Sequence, residues 1–136
     1  MPKPVISLGD EISKEFEIST SYPSNFNKKE LEIKDTTHKI TCKYSRTINV
    51  FDIPSYQRYI ENVNPSANFI AKVTDKNAAG IAILEKDVLG SRNPPEKRIH
   101  FSPVGAVDIE EIELNSIGKD LFLRTVKYAM GESLIC

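Results

Sequence analysis

The stretches Asn68-Phe-Ile-Ala-Lys-Val-Thr74 and Ala79-Gly-Ile-Ala-Ile-Leu-Glu-Lys86 decide the fold class. Each is a short apolar run rich in β-formers, and Asp75-Lys-Asn-Ala78 between them tolerates a turn, so the pair predicts an antiparallel hairpin. Toward the C-terminus, Gly90-Ser-Arg-Asn-Pro-Pro-Glu-Lys97 cannot continue a ladder because two prolines remove two donors. An exposed loop is expected there, followed by a strand over Arg98 to Phe101. From Ala106 to Leu114, Val107 and Ile109 share one face while Ile112 and Leu114 fall on the other. That slip at Glu110-Glu111 predicts either a β-bulge or a strand buried on both sides. Beyond it, Gly118, Leu121, Phe122, Thr125, Val126 and Ala129 form one helical stripe, with Lys119, Asp120, Arg124 and Lys127 off it. The spacing predicts a helix over about 117–130, with Ser116 as its N-cap and Gly131 at its C-terminal end.

Toward the N-terminus, Leu31 and Ile33 share parity, a polar turn follows at Asp35 to His38, and Ile40, Cys42 and Tyr44 return on one face. These residues read as a second hairpin. Between the hairpins the period changes. Tyr56, Tyr59, Ile60 and Val63 recur at helical spacing, Asp52 or Ser55 can cap, Pro54 suits a first turn and Asn64-Pro65 stops the run, so a helix is expected over about 53–63. Val5 to Leu8 and Phe16 to Ile18 read as short strands, and Thr20 to Asn27 as a loop. The expected architecture is α+β: a mostly antiparallel sheet of six or seven strands packed by a middle and a C-terminal helix.

A chain of 136 residues suits one domain. With 40% hydrophobic and 27% charged residues it has the composition of a globular protein. Eighteen basic residues oppose nineteen acidic ones, evenly along the chain, which argues against a sequence-independent nucleic-acid binder. No apolar run has membrane-spanning length, and the first residues lack the apolar core of a signal peptide, so a soluble, intracellular protein, cytoplasmic or nuclear, is expected. Cys42 falls in a segment that reads as a strand, and Cys136 is the last residue. A terminal thiol has few contacts to hold it at bonding distance, so no bridge is expected, and two unpaired thiols favour a reducing compartment. No metal site is expected either, since neither cysteine has a partner at ligand spacing and His38 and His100 lie 62 residues apart.

The order from Phe69 onward, a hairpin, a loop, a strand with a parity slip, then a helix opening with Gly118-Lys119, resembles the acyl-CoA half of GNAT-type N-acyltransferases. The resemblance aligns Phe69 to Thr74 and Ile81 to Glu85 with the family's central hairpin, Ala106 to Leu114 with its bulged strand, and Gly118 to Met130 with the helix whose N-terminus faces the cofactor pyrophosphate. It implies Ser116, Gly118 and Lys119 at the cofactor and Glu110 or Glu111 as a base deprotonating an amine. The family's Gln/Arg-x-x-Gly-x-Gly/Ala turn is reduced here to Asn115-Ser116-Ile117 before Gly118. As surface charges on a strand, Asp108, Glu110 and Glu113 have a simpler reading. His100-Phe-Ser102 has the His-x-Ser spacing of two-histidine phosphoesterases, but His38-Lys-Ile-Thr41 puts its hydroxyl at the third position and reverses its face on a strand.

No convergent acid, base, nucleophile or metal cluster emerges, and no cofactor is expected. The leading expectation is a non-enzymatic interaction module that binds another macromolecule, above all a protein, with a homodimer as an alternative. Its candidate contacts are Tyr56, Arg58 and Tyr59, since Tyr and Arg are enriched at interface hot spots, and Arg92, Pro94 and Pro95 of the proline-rich loop. The alternative is a GNAT-like transferase or an inactive descendant of one.

Overall fold

The computed structural model describes residues 3–8, 18–19, 24–73, 77–85, 96–103 and 114–136. Of the proline-rich loop expected over Gly90 to Lys97, residues 90–95 lie outside them, as do residues 106–113, including Glu110 and Glu111, of the strand expected over Ala106 to Leu114. Eight strands and one helix are described: β1 Val5–Ser7, β2 Ser24–Lys28, β3 Glu30–Ile33, β4 Thr47–Asn49, β5 Ser55–Tyr59, β6 Asn68–Val73, β7 Ala79–Leu84, β8 Arg98–Phe101 and α1 Ser116–Ala129. Six strands form a mixed sheet in the order β1-β8-β7-β6-β3-β4, and β2 pairs with β5 in a separate antiparallel ribbon. Only the β1–β8 pair of the large sheet is parallel; β7 lies antiparallel to β6 and to β8, and β3 to β6 and to β4. The α+β class therefore holds, with one helix among the described residues and a strand, β5, where the middle helix was expected.

The β6–β7 hairpin forms as its apolar runs require. All six residues of β7 are buried, because the strand is covered on both faces. Ile81 and Ile83 join Leu31, Ile33, Ile99, Phe101, Leu121 and Ala129 in the main core beneath α1. On the other face, Ala82 and Leu84 meet Ile18 and Ile60, and the β2–β5 ribbon closes over them. The described register shifts two times between β6 and β7, between Phe69 and Ala71 and again between Ala71 and Lys72. Gly80 sits where a Cβ would strike Leu31 Cδ1, so glycine lets β3 and β7 side chains share that space.

The middle helix is the main correction. Residues 55–59 form strand β5, paired with β2 from Ser24↔Tyr59 to Lys28↔Ser55. Ser55, Gln57 and Tyr59 are the buried positions, a period of two. The alternation was hidden because its central inward residue is polar. Gln57 is fully buried yet satisfied: Nε2 donates to the carbonyls of Lys28 at 3.1 Å and Glu30 at 2.7 Å, and its Oε1 accepts from Ser102 Oγ at 3.2 Å. The other hairpin is shifted. β3 pairs antiparallel with β4, Leu31 opposite Ile48, while residues 36–43 form turns, so Ile40 and Cys42 are not on a strand. Ser24–Lys28, expected as the end of a loop, is a strand.

Helix α1 begins one residue earlier than its periodicity suggested and is capped by Asn115, whose side chain accepts from the Gly118 N–H. It ends in a Schellman arrangement: Gly131 has φ 77°, its N–H reaches the Tyr128 carbonyl at 3.0 Å, and the Glu132 N–H reaches that of Lys127 at 2.9 Å. Gly118, Leu121, Thr125 and Ala129 face the sheet, as the stripe implied, but Arg124 is buried beside them. Among the described residues no helix is long and apolar enough to cross a membrane.

Candidate functional site

The described residues among those singled out from sequence are placed as follows. Tyr59 is 8% exposed and packs with Val73 and Ala78, because it occupies an inward position of β5. Arg58 is half-buried, with its Nε enclosed and without a hydrogen-bond partner among the described residues. Tyr56 lies opposite Asn27 in the ribbon. Arg92, Pro94 and Pro95, like Glu110 and Glu111, are outside the described residues. His100 and His38 are separated by the sheet. Fully buried His100 donates from Nε2 to the Arg58 carbonyl at 2.7 Å on the ribbon side, whereas His38 packs edge-on against Tyr128 of α1, ring centroids 4.9 Å apart.

At the start of α1, Ser116 and Lys119 are exposed and Gly118 is buried. A Cβ on Gly118 would lie 2.5 Å from the Val50 carbonyl oxygen, so this glycine serves close packing of helix against chain. Its N–H already donates to Asn115 Oδ1 at 2.9 Å. Saturating acetyl-CoA should accordingly leave the melting temperature unchanged; a rise of several degrees in a thermal-shift titration would bring acyl-CoA binding back.

Two features of α1 stand out instead. The first is its outer face. Leu123 and Met130, seven residues apart and so on the same side of the helix, are 50% and 65% exposed. Half-buried Val126 lies between them, and Lys119 and Lys127 flank the stripe. The second is a cleft of about 330 Å³ at the C-terminal end, lined by Lys39, Lys97, Tyr128 and the Gly131–Leu134 segment. Lys97 Nζ donates to the Tyr128 carbonyl at 2.9 Å and lies 4.3 Å from the centroid of the same residue's ring, so the ammonium both caps the helix and rests on an aromatic face. The Tyr128 hydroxyl donates to Glu85. Burial, and then that carboxylate, push its pKa above the ordinary tyrosine range. Burial holds the His38 ring below the usual histidine value despite the opposing pull of Asp35 and Glu85, so it stays neutral at neutral pH.

The floor of this region is held by Arg124. Its Nε donates to the Ile40 carbonyl at 3.0 Å, Nη2 to that of Lys39 at 2.5 Å and Nη1 to that of Ile135 at 3.0 Å. Beside it Cys42 and Cys136 are joined, Cα atoms 5.4 Å apart. The expectation of two unpaired thiols is thereby corrected, and the argument it offered for a reducing compartment falls with it. Cys136 is not loose, because Arg124 fixes the preceding carbonyl, and Cys42 lies in a turn facing it. On the other side of Arg124, Asp120 accepts from the Tyr44 hydroxyl and pairs with Lys43 at 3.1 Å. The tyrosine bond, and then the lysine, hold this carboxyl below its ordinary pKa.

The chain is thus an α+β sandwich with an outward helix face, a mixed-charge cleft and a bridged C-terminal segment. No protein-family model matches it, and no curated protein matches it by sequence. Its fold is similar to that of a solved structure, the cytoplasmic protein STM3548 from Salmonella typhimurium, with a TM-score of 0.55 and 12% identity over 94% of this chain. The chain spans about half the length of that protein, 55% of it.

Proposed function

We propose that the protein is a non-enzymatic interaction module that binds a protein partner through the outer face of α1. The observation that carries this reading is the exposed Leu123 and Met130 pair on a helix whose opposite side is committed to the sheet. Two large apolar side chains on one helix face favour removal from water by a complementary surface, and the flanking lysines favour an acidic rim around it.

A photoreactive phenylalanine analogue at position 123 or 130 tests the reading, with position 36, an exposed threonine on the 36–43 turns, as control. Both helix positions should give a discrete adduct that the control does not. Lys127→Glu should reduce its yield about tenfold, the equivalent of 1.4 kcal/mol. An adduct of twice the chain's mass would identify a second copy as the partner. Equal labelling from position 36, or none from either helix position, would remove the helix face from consideration.

A further inference from the structure

The two cysteines of the bridge are held very differently. Cys42 lies on a platform that does not need the bridge: the Thr41 and Cys42 N–H groups donate to the His38 carbonyl at 3.0 and 2.8 Å, Thr41 Oγ1 donates to the Asp35 carbonyl at 2.5 Å, and Arg124 anchors the carbonyls of Lys39 and Ile40. Cys136 lies in a strap, residues 132–136, in which Glu132, Ser133, Ile135 and Cys136 are exposed and Leu134 is half-buried. Beyond the helix-end turn, the strap's described ties to the rest of the molecule are the Arg124–Ile135 hydrogen bond and the bridge itself. Its residues Glu132, Ser133 and Leu134 wall the cleft over Tyr128.

The sulfurs also differ in their surroundings. Cys136 is exposed and open to attack, whereas Cys42 Sγ lies 3.8 Å from Arg124 Nη2. A guanidinium beside a sulfur favours the thiolate and hence its departure as a leaving group. Of the other charged groups nearby, Lys43 is paired with Asp120, and the Lys39 side chain is exposed.

We propose that Cys42–Cys136 is a reversible thiol–disulfide switch, in which an external dithiol opens the bridge at Cys136 and releases the strap from the cleft it walls. A thiolate of the dithiol bonds to Cys136 Sγ, and Cys42 Sγ departs with the electron pair of the broken S–S bond. The second thiolate of the dithiol then displaces Cys136, so the reductant leaves as a disulfide and the protein has gained two electrons and two protons. The platform stays in place throughout, because its hydrogen bonds do not pass through the bridge. Opening uncovers Tyr128 on the strap side of the cleft.

The full chain, oxidised and after equilibration with dithiothreitol, tests this by backbone order parameters and by alkylation with iodoacetamide. In the oxidised protein, Leu134 and Ile135 should show values near 0.85; reduction should take both below about 0.6 while Thr41 and Cys42 stay rigid. Cys136→Ser should free the strap without reductant. In the reduced protein Cys42 should alkylate at least tenfold faster than Cys136 at pH 7, as a more acidic thiol would. Unchanged order parameters at Leu134 and Ile135, or identical pH profiles for the two thiols, would overturn the switch. So would loss of the near-ultraviolet circular dichroism on reduction, since the bridge would then be holding the whole sheet and not the strap alone.

Discussion

Reduction of the bridge should lower the free energy of unfolding by about 4 kcal/mol, read as a fall of roughly 2 M in the urea midpoint. The size follows from the loop that the bridge closes. Cys136 lies ninety-four positions after Cys42, and tethering the ends of so long a loop removes much of the freedom of the unfolded chain. Releasing the strap returns a little freedom to the folded state, which offsets a small part of this. The check is parallel urea titration of the oxidised protein, the reduced protein and Cys42→Ser; the last two should coincide. A difference below about 1 kcal/mol between oxidised and reduced protein would show that the unfolded ensemble already holds these segments together.

Arg124→Met should cost about as much, roughly 4 kcal/mol, with the bridge intact. Arg124 is 7% exposed, and its guanidinium donates to three carbonyls on two separate segments, residues 39–40 and 135. Hydrogen bonds from a charged donor contribute about 1.5–3 kcal/mol each, and their loss leaves buried acceptors unmet. Methionine recovers the stem's apolar contacts but none of the donors. Arg124→Lys should fall between the two, because an ammonium keeps the charge without the planar fork that spans three acceptors. Urea midpoints of the three proteins decide the order, and a methionine variant as stable as the lysine one would mean that packing, not the carbonyl contacts, holds this residue in place.

Local pattern revealed the elements whose burial follows a simple period. The β6–β7 hairpin was legible because β7 is buried on both faces and therefore reads as a continuous apolar run; α1 was legible because its stripe recurs every three to four residues. Strand β5 was not legible. A glutamine at its central inward position broke the alternation, and the tyrosines around it mimicked a helix; what makes Gln57 tolerable there are carbonyls at Lys28 and Glu30, which no window around residue 57 contains. Arg124 was placed on the solvent side for the same reason, since its acceptors at Lys39 and Ile40 lie more than eighty positions away. Ile40, Cys42 and Tyr44 imitated strand parity on a turn, while the strand that pairs with β3 is short and offers one apolar residue, Ile48. The bridge and the cleft are products of the same long-range closure. The exposed pair on α1, Leu123 and Met130, was not singled out from sequence, because their exposure became readable only once the sheet had claimed the other side of the helix.

The parallel pairing of Val5 with Arg98 has a consequence for how the chain reaches its native state. An edge strand made from residues 5–7 can dock only after residues near position 98 have emerged and joined β7. Assembly should therefore begin with the local antiparallel pairs and finish by stitching the N-terminal segment onto the rim, the order expected when loop-closure entropy penalises distant partners. Until then the outer ladder of β8 is bare, and a nascent chain caught at that stage offers it to any neighbouring strand, which makes the interval before β1 docks the time at which misassembly between copies is most to be expected.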